Sequence, residues 1–452
     1  MDIVKSAVCI FGFLLCHPEG EGGNVDFADR TFVSVWNAPS AICESKFGVQ
    51  LDLSYFDIVA NHNDTFAGDE IVIFYGSRLG LLPSIDAHGK FIHGGLPQLA
   101  NITAHLAKVT SDVEHYMRNV GFNGLAVIDW ESWRPIFRRD HYNTEMRRYI
   151  QASEDLVRKH HPDWSKGKIE DEARKEFENG ARIFIQSTLD TCRKLRPGGY
   201  WGLYLFPECY NRGHGERHCS NTTEERNDRL SWMFKASTAL YPSIYLKESG
   251  TSVDKYDHVY GELKEALRVK KAYGGKRLAI APYSKIRYKD TKHFYNQADL
   301  NNTILQAAEA GLDAIVLWGS SSSYRSARQC EETRDYLDST LGPFIRNVTI
   351  AARNCSDELC NSHGRCFKTD WSYKSDTPDT LFFEPASNGL FKSLVKMLLD
   401  TISGAIREIG RSIRATDVAE PGHTGGLYQR FSGFSCSCFE GWTGEYCQRR
   451  SF

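Results

Sequence analysis

"GLAVIDWESWRPIF", residues 124–137, decides how the chain is read. An apolar run from Leu125 to Ile128 stops abruptly at two acids, Asp129 and Glu131, set among Trp130, Trp133 and Arg134. A short, continuous apolar run of this kind is what a strand buried on both faces looks like. Six further stretches have the same character: "TFVSVW" (31–36), "IVIFYG" (71–76), "YWGLYLF" (200–206), "LYPSIYL" (240–246), "RLAIAPY" (277–283) and "DAIVLWG" (313–319). Amphipathic helical patterns separate them, for example at 101–119, 170–195, 255–272 and 296–310. Strand and helix alternating about seven times predicts an α/β fold with a parallel sheet, most simply a closed (β/α) barrel over about 24–350. An open doubly wound sheet is the alternative. No glycine-rich phosphate fingerprint follows its first strand, which weakens a nucleotide-binding version.

The chain has 452 residues, with Lys+Arg at 55 and Asp+Glu at 57. That balance points to neither a nucleic-acid nor a membrane partner, although a local basic groove for a polyanion can hide in a neutral total. At the N-terminus, "MDIVKSAVCIFGFLLCHPEG" places Lys5 before an apolar core too short to span a bilayer, which predicts a signal peptide over 1–20 and a secreted, extracellular protein. A buried first strand is the alternative. No other stretch approaches the ~20 apolar residues of a membrane span, and no hydrophobic tail follows Cys447 to signal a lipid anchor. Of 13 cysteines, Cys9 and Cys16 leave with the signal, and the odd remainder predicts five bridges and one free thiol. N-x-S/T sequons at Asn63, Asn101, Asn221, Asn301, Asn347 and Asn354 suit an extracellular surface.

The region 351–452 differs from the rest. Cys355, Cys360 and Cys366 are spaced C-x4-C-x5-C, and Cys436, Cys438 and Cys447 are spaced C-x-C-x8-C, closing on "GWTGEYC". This framework resembles an EGF-like module, and the resemblance implies the pairs Cys355–Cys366, Cys360–Cys436 and Cys438–Cys447; the cysteine count by itself leaves connectivity open. The paired C-x2-C spacing of a zinc site is missing, so no metal is expected. Inside the module, Phe391, Leu394, Val395, Leu398, Ile402, Ile406, Ile409 and Ile413 recur at three- and four-residue steps, predicting an inserted helix over about 388–415. It packs on the barrel or, with Lys392, Lys396, Arg407, Arg411 and Arg414 beside it, meets an unknown protein partner or a membrane surface.

Side chains at i and i+2 of a strand point the same way, and the C-terminal strand ends of a barrel form its active-site mouth. Asp129 and Glu131 are thus predicted to share one cavity, where repulsion and burial raise one pKa and leave the other acid ionised. Glycoside hydrolysis needs that division of labour. The flanking tryptophans suit it too, since sugar rings present CH faces that pack on indole. Tyr204, Tyr245 and Trp318 close other strands in the same manner. A helix cap, or an ion pair with Arg134, is the structural alternative for the two acids.

The segments "VSVWNAPS", "IVIFYG", "GGLPQLANITAHL", "GLAVIDWESWRP", "WGLYLFPECYN", "ALYPSIYL", "AIVLWGSS" and "LGPFIRNVT" closely resemble the animal hyaluronidases of glycoside hydrolase family 56. The likeness is spread over nearly the whole barrel and continues into the EGF-like end. It implies a distorted barrel of about seven strands and an endo-acting hydrolase cutting β-1,4 bonds after N-acetylhexosamine in hyaluronan, with chondroitin as a second candidate, and without a cofactor. Glu131 matches the family's proton donor. Asp129 matches the carboxylate orienting the substrate's own acetamide, which serves as nucleophile. Tyr204 and Tyr245 match the tyrosines around that acetamide, and Trp318 the indole under the cleaved sugar. Arg134 matches an arginine near the acids, and Asn37 and Ser243 lie in matching motifs. The family's further acid falls by count on Lys289, so Asp290, one place along in "IRYKDTKHF", is the candidate for that role. The resemblance also implies Cys43–Cys330 and Cys209–Cys219, leaving Cys192 as the spare thiol. A catalytically inactive glycan-binding or adhesion protein on the same fold is the alternative function.

Overall fold

The computed structural model describes residues 30–59, 68–137, 144–211, 216–275, 277–370, 431 and 433–451. The 1–20 leader, Asn63 and the 388–415 helix lie outside the described residues.

All the predicted strands form, and all pair in parallel. Ile58–Val59, Val33–Asn37, Ala314–Trp318 and Tyr283–Ser284 make one hydrogen-bonded run, and Ile71–Tyr75, Leu125–Asp129 and Tyr200–Leu203 another. Ala239–Leu240 pairs with Ala279–Ile280, and single bridges at Tyr204–Tyr241 and Ser243–Tyr283 join the groups. The expected strands at 240–246 and 277–283 are shorter than predicted, and proline explains it. Pro242 and Pro282 sit within them and have no N–H for the ladder. Their carbonyls still accept, from Tyr283 N–H at 2.8 Å and Val316 N–H at 2.9 Å. The Ile58–Val59 strand was not predicted, being too short to carry a pattern.

Strand alternation sorts the side chains into two layers. Val33, Val35, Ile71, Ile73, Leu125, Val127, Tyr200, Ala239, Tyr241, Ala279, Ala281, Tyr283, Ala314 and Val316 gather in one buried cluster. The intervening residues, such as Trp36, Phe74, Ile128, Trp201 and Leu317, pack outward against the helices. Small alanines let strands come close on the inner side, and Gly202 is required there: a Cβ on it would stand 2.1 Å from the Ala239 carbonyl oxygen. The helices include Ile102–Tyr116, Thr144–His160, Lys166–Leu195 and Ser252–Tyr273. The predicted 296–310 helix is interrupted at Asn301–Leu305 by a π turn.

In the tail, Gly364–Lys368 pairs antiparallel with Phe434–Cys438, and Trp442–Thr443 with Arg449–Arg450. The hairpin docks at the N-terminal end of the Ala314–Trp318 strand. Arg365 reaches the buried Asp313 carboxylate at 3.2 Å, Lys368 pairs with Glu309, and Gly311, at φ +69°, leaves room for Phe367. Trp318 and the other strand C-termini lie at the opposite end. Among the described residues five disulfides are present: Cys43–Cys330, Cys209–Cys219, Cys355–Cys366, Cys360–Cys436 and Cys438–Cys447. Cys192 is free and buried, and burial raises its pKa, which keeps the thiol protonated and unreactive. Among the sequons, Asn101, Asn221 and Asn354 are exposed and Asn301 and Asn347 half-buried.

Candidate active site

Continuing the inward alternation one step past the core brings Tyr75, Asp129, Tyr204, Ser243, Trp318 and Asn37 to the C-terminal ends of six strands. Ladder register puts Tyr75 beside Asp129 and Asn37 beside Trp318. Tyr75, Tyr204, Tyr245 and Trp318 pack over the inner cluster as its lid, half-exposed above it.

The two acids come together, though not quite as strand spacing predicts. The strand ends at Asp129, so Glu131 lies beyond it, with its side chain 56% exposed. Their carboxyls hydrogen-bond to each other. Burial first, then the charge of Glu131 and that shared hydrogen bond, push Asp129 up to about 7, against the opposing pull of Arg134. The more buried acid is therefore the one that holds a proton near neutrality.

Arg134 lies 3.9 Å from Glu131 Oε2 and 3.4 Å from Glu208 Oε1. Burial works against its charge, but Glu208, Tyr210 and Glu131 outweigh burial and hold it firmly protonated. Trp130 and Trp133 do not line the cleft; this corrects the expectation that they stack on sugar. At 7% and 5% exposure both are core residues of the outer layer. Trp130 continues the even-numbered row of this strand, which points away from the inner cluster, while Trp133, beyond the strand, packs on Phe177 and Phe184 and donates Nε1–H to Pro83 O at 2.9 Å. Behind Trp130, His105 is wedged 3.9 Å from the Phe184 ring, with Nδ1 accepting from Leu81 N–H and Nε2 beside Thr188 Oγ1.

The Tyr204 hydroxyl donates to Ser243 Oγ at 3.3 Å and is hydrogen-bonded with Tyr245. Burial raises the pKa of both tyrosines, Tyr204 to about 12, so both remain neutral donors. Tyr245 stacks with Trp318 at 6.4 Å and 23°. The Asn37 amide, Asp129 Oδ1 and the Tyr283 hydroxyl, all at this end, are buried with no partner among the described residues. Burying such groups unpaired is costly, and a binding site is where that cost is normally tolerated. Asp290 is not among these residues. It is exposed, accepts from Glu248 N–H at 2.9 Å, and that bond lowers its pKa.

The hyaluronidase family profile matches residues 24–451. The chain belongs to the hyaluronidase family, glycoside hydrolase family 56. Membership makes it a glycosidase. Human hyaluronidase-1 is 37% identical over 430 residues, covering 94% of this chain and 93% of the relative. Hyaluronidase-1 of the snake Bitis arietans is 35% identical over 435 residues, covering 94% and 92%. Bee venom hyaluronidase in complex with a hyaluronic acid tetramer superposes with a TM-score of 0.65 at 33% identity, over 70% of this chain and 99% of that one.

Sequence reasoning missed Tyr75 and Tyr283. Both continue inward-facing rows, and the Tyr75 hydroxyl is hydrogen-bonded to Trp318; counting alternation to the end of each strand finds them. It also missed His105, whose role rests on contacts far apart in sequence. Burial lowers the His105 pKa from 6.5 to about 4. The unfolded chain's histidine takes up a proton below about pH 6.5 that the folded one refuses until about 4. Its stabilising contribution is complete above 6.5 and lost as pH falls toward 4, about 3 kcal/mol in all. Thermal unfolding of the wild type and His105→Asn between pH 7 and 4 checks this: the variant starts less stable and has the shallower slope.

Proposed function

We propose that this glycosidase is a secreted endo-β-N-acetylhexosaminidase that hydrolyses β-1,4 bonds in hyaluronan by substrate-assisted, retaining catalysis. The hydrogen-bonded Asp129–Glu131 pair, set in an aromatic mouth at the strand C-termini, carries the proposal. In this reading the parallel strands close as a distorted barrel of about seven strands, the six-cysteine tail is an EGF-like module, the leader at 1–20 directs export, and the exposed sequons carry glycans.

The pair holds one proton. A bound acetamide donates its N–H to Asp129, favouring the carboxylate there and moving the proton to Glu131. Glu131 passes it to the glycosidic oxygen, and the C–O bond breaks. The acetamide carbonyl oxygen attacks the anomeric carbon and closes an oxazolinium ring, whose positive charge faces Asp129. Tyr204 and Tyr245 hold the acetamide in attack geometry, where orientation contributes much of the rate, and Trp318 floors the sugar. Glu131 then removes a proton from water, which opens the ring from the side the leaving group left, so configuration is retained. Substrate-assisted enzymes are an exception to the usual scheme of two protein carboxylates. Arg134, Asn37 and Ser243 serve as substrate-binding residues beside the acids, the tyrosines and Trp318.

Reducing-end release from hyaluronan, with chondroitin digested beside it, tests the proposal; no release from either polymer would leave a binding protein. The pH profile tests the pair. Activity needs the one-proton form, so kcat/KM is expected to fall as pH rises through about 7, where Asp129 gives up its proton. In Asp129→Asn that coupled ionisation is gone: kcat drops and the alkaline limb moves away from 7.

A further inference from the structure

Lys285 has no role in the mechanism above, yet it stands inside the cleft. It follows Ala279, Ala281 and Tyr283 in the inward-facing row of its strand, at the first position beyond the strand's end. Register places it level with its neighbours on both sides. Tyr283 and Ser284 pair with Val316 and Leu317, which sets Lys285 opposite Trp318, and Ser243 bridges Tyr283, which sets it opposite Tyr245. Its ammonium lies 4.9 Å from the centroid of each ring.

Among the described residues, no carboxylate is within 4.0 Å of this ammonium. The cation acting on Asp129 is Arg134. Lys285 is half-buried, and burial lowers its pKa with no anion to offset it. The neighbouring basic side chain on the same segment, Arg287, has Glu332 at 3.6 Å. Lysine is not needed to support the two rings, since an apolar side chain of equal length would do so without desolvating a charge. A half-buried, unneutralised cation costs stability, and an anion arriving with the substrate would recover that cost.

We propose that Lys285 is a specificity-determining residue that receives the uronate carboxylate adjoining the hexosamine held by Tyr245 and Trp318. This rests on the substrate proposed above and names which group of it the cleft reads. The cation–π contacts hold the ammonium in place before substrate arrives, so little side-chain freedom is lost on binding. A hexosamine polymer without uronate would leave Lys285 desolvated and unpaired, and is disfavoured for that reason.

The test uses full-length Glu131→Gln protein, which binds without turnover, and Glu131→Gln/Lys285→Met, which keeps the length of the stem and removes the charge. Calorimetric titration with a hyaluronan oligosaccharide is expected to show about tenfold weaker binding by the double variant. The same oligosaccharide with its carboxyls reduced to alcohols is expected to bind both proteins alike, and Lys285→Arg to restore most of the difference. In the Glu131-intact background, Lys285→Met is expected to raise KM with kcat little changed. Equal affinity of the two proteins for the native oligosaccharide overturns the proposal. So does an equal loss on native and carboxyl-reduced ligand, which would make Lys285 a packing element. Absence of hyaluronan cleavage by the wild type, with this binding difference intact, would overturn the hydrolase reading and leave the carboxylate site standing.

Discussion

Glu131→Gln is expected to lower kcat on hyaluronan by about 10²–10⁴-fold while changing KM little. Glutamine keeps the size of the side chain and can accept a hydrogen bond, but it has no proton to deliver to the departing oxygen. Asp129 does not replace it, since its buried carboxyl sits at the strand end facing the inner cluster. The half-exposed Glu131 side chain tolerates the change without loss of fold, so thermal unfolding of the variant should match the wild type. Reducing-end release and unfolding measured on one preparation decide the matter. Equal kcat in the two proteins removes Glu131 from the proton-donor role, and a large fall in stability would make lost activity uninformative about catalysis.

Replacing both cysteines of the Cys43–Cys330 bridge with alanine is expected to destabilise the protein by about 5 kcal/mol. The bridge spans 287 residues, so it restrains the unfolded chain more than the other four do. It also joins Ile42–Phe47, the helix after the first strand, to Ala327–Tyr336, the helix after Ala314–Trp318. These strands pair directly, yet they come from opposite ends of the described α/β region. Without the link, their ladder must be won against loop-closure entropy alone. Thermal unfolding should show a drop of about 5–6 °C in Tm for a protein of this size. The Cys438–Cys447 pair, closing only a short loop in the tail, provides the comparison: its removal should leave the main transition nearly unmoved. A main transition unchanged by loss of Cys43–Cys330 would contradict this account.

The strands were legible because burial on both faces leaves an apolar run that water-exposed segments do not have. Prolines 242 and 282 were visible too, but only the ladder showed that each interrupts its strand while its carbonyl keeps pairing. Asp129 could be read as a mouth residue from alternation by itself. Glu131 could not, because its place past the strand end is set by the chain's turn toward Arg134 and Glu208. Trp130 and Trp133 misled for the opposite reason. Their type suited a sugar platform, but Trp130 continues the outward-facing row of its strand, and Trp133, beyond the strand, is buried among helix side chains and tied to Pro83.

The amino-acid sequence by itself determined the α/β alternation, the acids at one strand end, the cysteine-rich tail and, through its likeness to known chains, the family. Those properties are local or cumulative along the chain. Tertiary structure alone decided which acid carries the raised pKa, which aromatics face the cleft, that His105 stays neutral behind Trp130, and that Lys285 stands between Tyr245 and Trp318. Each of these depends on burial and on neighbours from distant strands. A pKa or a contact is a property of the space around a group, and that space exists only after the strands have been brought together.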